Sequence, residues 1–138
     1  MTISRQIIAW LIMVAIGVTV SLVSGASYLE RSLPGGLPIG NALAAIGLCS
    51  AAGAAVGLSQ SGTSLRRISA ASFVAAIAWL PISVGLAGNL ALNFKEPHGF
   101  AWLGLSLATV LAVLGSLAWA VVRSLLKGRP NAGSSEAA

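Results

Sequence analysis

Four uninterrupted apolar stretches, Ile7–Ser27, Ile39–Ser59, Ile68–Leu90 and Phe100–Val122, each 21 to 23 residues long, occupy most of the 138-residue chain. None of them holds an Asp, Glu, Lys, Arg or His. A helix rises about 1.5 Å per residue, so about 20 residues cross the roughly 30 Å hydrocarbon core of a bilayer. A soluble bundle would need a polar face on every helix, yet Ile7–Val20 and Leu103–Val122 read apolar all round. Charged residues make up only 8% of the chain, against about 25% in soluble domains. A water-facing surface cannot be assembled from so few.

The expected fold is therefore all-α: a polytopic membrane protein built as a four-transmembrane-helix bundle. A single membrane domain covers 1–127, and 128–138, which lacks an apolar anchor, is expected to be a disordered cytoplasmic tail. Ser24-Gly25-Ala26 after an apolar run has the look of a signal cleavage site. The run exceeds the usual 7–15 residues, which favours a retained helix.

Basic residues near helix ends set topology, because Lys and Arg are retained on the cytoplasmic side. Arg5, Arg66, Arg67, Arg123, Lys127 and Arg129 fall on one side of a four-span chain; only Arg31 and Lys95 fall on the other. Both termini are accordingly expected to face the cytoplasm, and a net charge of +5 follows from this bias without invoking nucleic acid. Trp10 and Trp119 belong near the cytoplasmic interface and Tyr28, Phe94, Phe100 and Trp102 near the outer one, as amphipathic rings prefer. Trp79 alone lies near mid-membrane. The Ala- and Gly-rich composition suits a bacterial inner membrane.

Three connections join the spans. Pro34, Gly35, Gly36 and Pro38 make the first rich in turn formers, with Pro38 suited to the first turn of the second helix. Thr63 or Ser64 offers an N-cap for the third helix. The loop at 93–99 is short enough to make helices three and four an antiparallel pair. No fold-defining repeat stands out, although Gly40-Asn41-Ala42-Leu43-Ala44 and Gly88-Asn89-Leu90-Ala91-Leu92 look alike.

Inside lipid, helices associate through close backbone packing and hydrogen bonds, which favours small residues at the contacts. The second span carries Gly53 and Gly57 in a GxxxG, Gly47 paired with Ala51, and Gly36 with Gly40 at its outer entrance. Small residues ring this helix, so it is expected at the centre, touching more than one neighbour. Gly104, Ala108, Ala112 and Ser116 form one small-residue stripe on the fourth span, and Gly17 and Ser21 another on the first. Pro81 removes one backbone hydrogen bond from the middle of the third span, with Trp79 beside it. The pair reads as a static kink whose gap a ring fills, the alternatives being a hinge or a stacking platform.

Polar residues at depth are few. Asn41, Asn89 and the lone His98 share the outer leaflet and form the candidate ligand-binding set, for a lipid head group or another polar ligand. The plainer reading, which is favoured, has each Asn capping its own helix or bonding to a neighbouring one, and His98 solvated at the interface. One histidine cannot ligate haem from both sides, and the single Cys49 excludes disulfides and CxxC chemistry within the chain. No metal site, catalytic set or cofactor is expected.

Ion-coupled transport relies on ionisable residues within the membrane, and membrane hydrolases need a nucleophile with its base. Neither is present in the spans. The expected role is a non-catalytic integral membrane subunit or accessory protein, packed against a larger membrane complex and carrying lipid or pigment. The alternative is a small homo-oligomeric channel or carrier for a neutral or weakly polar solute, lined by Ser, Thr and Asn. The partners are then the bilayer and other integral membrane subunits or further copies of the chain.

Overall fold

A computed structural model describes residues 4–128, and every long element in it is helical: α1 (Arg5–Val23), α2 (Ile39–Leu58), α3 (Ser64–Ala87) and α4 (His98–Lys127). All four are long and apolar enough to cross a membrane. Residues 129–138, which hold all but the first residue of the expected tail, lie outside the described residues.

The helix boundaries follow from local chemistry. Ser4 caps α1, its hydroxyl accepting from the Ile7 N–H at 3.3 Å. The helix ends at Val23, short of the expected Ser27, because Gly25 turns into the left-handed region at φ 62° and a 3-10 turn follows at Ser27–Glu30. Of the two candidate caps for α3, Thr63 serves, its hydroxyl accepting from the Arg66 N–H at 3.2 Å. This starts α3 four residues before Ile68. Gly88 at φ 71° closes α3, its N–H donating to the Val84 carbonyl at 2.8 Å, as a left-handed cap does. Pro38 sits one residue outside α2, at its N-cap rather than in the first turn. Through Pro81 the α3 helix runs on unbroken. At 30 residues, α4 is about 45 Å long. Its last turns, with Arg123 and Lys127, therefore project past the apolar stretch.

The loop between α1 and α2 is folded rather than slack. Leu33 N–H donates to the Leu37 carbonyl at 2.7 Å and Ile39 N–H to that of Arg31 at 2.9 Å. Pro34 and Gly35 hold the central positions of the turn that the Gly36 N–H closes onto Leu33, with Gly35 at φ 104°. Gly36 is thus a turn residue and Gly40 an interface residue lying against the Leu29 backbone. Their four-residue spacing is no helix-packing motif, since only one of the two is in a helix.

As expected, α2 is central: it packs against α1, α3 and α4, while α3 also packs on α4. The reason is the size of its side chains. Ala51, Ala52, Ala54 and Ala55 are buried, and the core cluster of Ala51, Ala52, Ala76 and Val113 is extended by Ala15, Leu48, Cys49, Phe73 and Leu117. A Cβ added at Gly47 would stand 2.8 Å from the Val18 Cγ1 of α1, closer than carbon atoms pack. One added at Gly53 would meet both Leu11 of α1 and Phe73 of α3, at 3.4 and 3.7 Å. Gly57 is half-buried in the last turns of the same helix.

Large apolar side chains point outward instead. Trp10, Met13, Ile16, Ile77, Leu107 and Leu111 are all exposed, an arrangement that water would penalise by about 25 cal/mol per Å² of apolar surface. An all-helical chain with small residues inside, bulky aliphatics outside and four helices of spanning length is a membrane protein.

Candidate functional sites

Burial of hydroxyl groups is the chief polar feature of the interior. Ser50, Ser59, Ser69, Ser72, Ser83, Thr109 and Ser116 are buried, and all of them but Ser50 are hydrogen-bonded within the chain through their side chains. Ser59 Oγ donates to the Ala55 carbonyl at 2.6 Å and lies 3.1 Å from Ser69 Oγ. Ser72 Oγ reaches the Ile68 carbonyl of its own helix at 2.9 Å and the Ala112 carbonyl of α4 at 3.3 Å. Thr109 and Ser116 donate to the carbonyls of Leu105 and Val113. Among the described residues no buried side-chain nitrogen or oxygen lacks a partner.

The most ordered polar constellation joins α3 to α4. Trp79 Nε1 donates to Ser106 Oγ at 2.9 Å, and Trp102 Nε1 donates to Ser83 Oγ at 3.0 Å. Ser83 in turn donates to the Trp79 carbonyl at 2.6 Å. The reciprocity is written in the sequence as Ala78-Trp79-Leu80-Pro81-Ile82-Ser83 and Ala101-Trp102-Leu103-Gly104-Leu105-Ser106. Within each copy the Ser follows its Trp by four residues, one helical turn, so two antiparallel copies bring each indole level with the other's hydroxyl. The indole rings tilt against each other at 6.5 Å, and Phe94 stacks on Trp102 at 4.9 Å. Trp79 is therefore buried against α4 and held there by a hydrogen bond, beside a Pro81 whose own ring is exposed.

The candidate polar set of Asn41, Asn89 and His98 is more dispersed. Asn41 lies in the first turn of α2 and is half-buried; Asn89 and His98 are exposed, at the end of α3 and the start of α4. No hydrogen bond among the described residues joins any two of them. Asn89 instead ties its own loop, its amide donating to the carbonyls of Ala87 and Asn93 while its oxygen accepts from the Asn93 N–H at 3.1 Å. That cage surrounds Leu92, held in the left-handed region at φ 56° although buried. A shallow, largely apolar cavity of about 300 Å³ opens beside Phe94, Phe100 and Trp102, and none of the three polar residues lines it.

At the other end, the end of α2 is held by a residue that sequence reading assigned to topology alone. Arg66 Nη1 donates to the carbonyls of Val56 and Ser59, at 2.9 and 3.1 Å. The Val56 carbonyl also accepts from the Ser59 N–H at 3.3 Å, and a cation at this C-terminal end meets the negative end of the helix dipole. The short 59–63 connection, which folds α3 back beside α2, was the available signal. Arg5, Arg123 and Lys127 gather nearby around a cavity of about 330 Å³, and the Arg123 guanidinium lies 6.0 Å from the centre of the Trp119 ring. No group of three or more His, Cys, Asp or Glu that would suit a metal ion occurs among the described residues. No family model matches the chain, and neither curated proteins nor solved structures yield a match.

Proposed function

We propose that this chain is a non-catalytic integral membrane subunit that packs against a larger membrane complex and holds lipid or pigment at the contact, with both termini on the cytoplasmic side of a bacterial inner membrane. The observation that carries the reading is the outer face of α4. Gly104, Ala108, Ala112 and Gly115 are exposed on one side of that helix, and a Cβ added at Gly104 or Gly115 would meet nothing within 4 Å. Ser116, which the sequence places on the stripe, is buried instead, and Gly115 takes its place. Glycine costs a helix up to about 1 kcal/mol relative to alanine, and the bundle gains no contact in return. A second helix could approach this face closely, as small-residue faces in lipid allow.

A homo-oligomeric channel or carrier is the competing reading, and the placement of hydroxyls argues against a path through a single chain. Six of the seven buried hydroxyls, all but Ser50, are used up in bonds between and within helices, as described above. Purification from native membranes in mild detergent tests the proposal. Other chains are expected to co-purify, and Ala108→Leu is expected to release them while leaving the thermal unfolding of the bundle unchanged. Recovery as a self-sized oligomer that moves solute in liposomes would overturn it.

A further inference from the structure

The end of the molecule where α1 and α3 begin and α2 and α4 finish carries positive charge that nothing described there offsets. Arg5, Arg123 and Lys127 line one cavity of about 330 Å³, together with Gln60, Thr63 and Ser124. Arg123 also lines an adjoining cavity of about 410 Å³, walled by Leu65, Ile68 and Trp119 together with Gly62, Thr63 and Ser64. Arg66 is already engaged by the α2 carbonyls, whereas these three cations are exposed. Among the described residues no acidic residue lines either cavity, and neither α1 nor α3 has one in its first turn. Arg5 even opens α1, placing a cation at the positive end of the helix dipole, where a negative group is favoured. Three cations thus converge on one polar hollow, at which two helices begin and two end.

From this convergence we infer a phosphate-binding site, and the apolar wall identifies its ligand as the head group of an anionic phospholipid. Arg123 and Lys127 stand on the part of α4 that projects past the apolar stretch, at the depth of lipid head groups. Leu65, Ile68 and Trp119 continue the surface toward the hydrocarbon, where acyl chains would lie. Basic pockets between membrane helices bind such head groups through this combination. Lys127 supplies a point contact from α4, and the guanidinium groups of Arg5 and of Arg123, the latter over the Trp119 ring, present planar forks suited to two phosphate oxygens. The site does not depend on the accessory role proposed above, since α4's outer small-residue stripe contributes nothing to it.

The test reconstitutes the full chain in nanodiscs of phosphatidylcholine and titrates in phosphatidylglycerol or cardiolipin, reading lipid bound per protein by native mass spectrometry. The triple variant Arg5→Gln, Arg123→Gln, Lys127→Gln is compared with Arg31→Gln, Lys95→Gln, which removes two cations from the opposite end. Each cation near an anionic surface contributes about 1 kcal/mol, so the triple variant should bind on the order of 100-fold more weakly. The Arg31, Lys95 variant should match the wild type, and circular dichroism should show both variants helical. Equal weakening by both variants would reveal diffuse charge attraction and overturn the site. Displacement of the lipid by low-millimolar inorganic phosphate would overturn the lipid assignment in favour of a free anion.

Discussion

Single side chains here do work that their residue type alone does not announce. Arg66 is the clearest case: one guanidinium nitrogen serves two carbonyls at the end of α2. Hydrogen bonds from charged groups contribute roughly 1.5–3 kcal/mol, so Arg66→Gln is expected to lower the unfolding free energy in detergent by about 2 kcal/mol. Exposed Arg67 next to it makes no such bond, and Arg67→Gln should change the same measurement by less than about 0.5 kcal/mol. Ser83 stands between two partners, accepting from Trp102 and donating to the Trp79 carbonyl. Ser83→Ala leaves the Trp102 N–H unpaired; interhelical bonds in membranes average roughly 0.6 kcal/mol, with a ceiling near 1.7. A loss within that range, with little further loss when Ser83→Ala is combined with Trp102→Phe, is the expected outcome of a double-mutant cycle.

Between elements, steric fit decides the architecture. The α1–α2 contact is closest at Gly47, where the space for a methyl group is already taken by Val18. Gly47→Ala is therefore expected to destabilise the bundle by about 1–3 kcal/mol, the usual cost of overpacking, and Val18→Ala should recover part of that loss in the double variant. Gly17→Ala, facing open space on α1, is the matched control and should leave thermal unfolding unmoved or slightly improved. The same logic marks what was legible in advance. Length and the absence of charge were enough to place four helices, because lipid leaves a backbone few other ways to satisfy its hydrogen bonds. The ring of Ala and Gly on α2 was enough to place that helix centrally, since only small side chains let three neighbours approach. Helix ends were harder: Gly25 and Gly88 stop α1 and α3 by turning left-handed, which apolar runs do not reveal. The Trp–Ser reciprocity was not read from the sequence, because 78–83 and 101–106 share only their Ala, Trp, Leu and Ser positions and the meaning of the pair needs the antiparallel register of α3 and α4. Arg66 reads as a topology signal until the fold brings it under the end of α2.

At the scale of the whole molecule, the two ends differ in kind. One collects hollows lined with cations and hydroxyls, the other a folded loop, the Asn89 cage and an aromatic cluster. The flanks between them are mostly aliphatic, with exposed Trp10 and Trp119, open glycines at Gly17 and Gly85, and the small-residue stripe of α4. If that stripe is a docking face, Gly104→Leu should abolish co-purification of partner chains as fully as Ala108→Leu, whereas Gly85→Leu, equally open but on α3, should leave it intact. The paired indoles of α3 and α4 carry one more consequence. Two chromophores of like transition energy, 6.5 Å apart and inclined at 39°, couple as excitons, so the chain is fitted with an optical gauge of its own assembly. Its near-ultraviolet dichroism should show a split Trp band that vanishes as α3 and α4 separate, while helical signal from the individual spans persists.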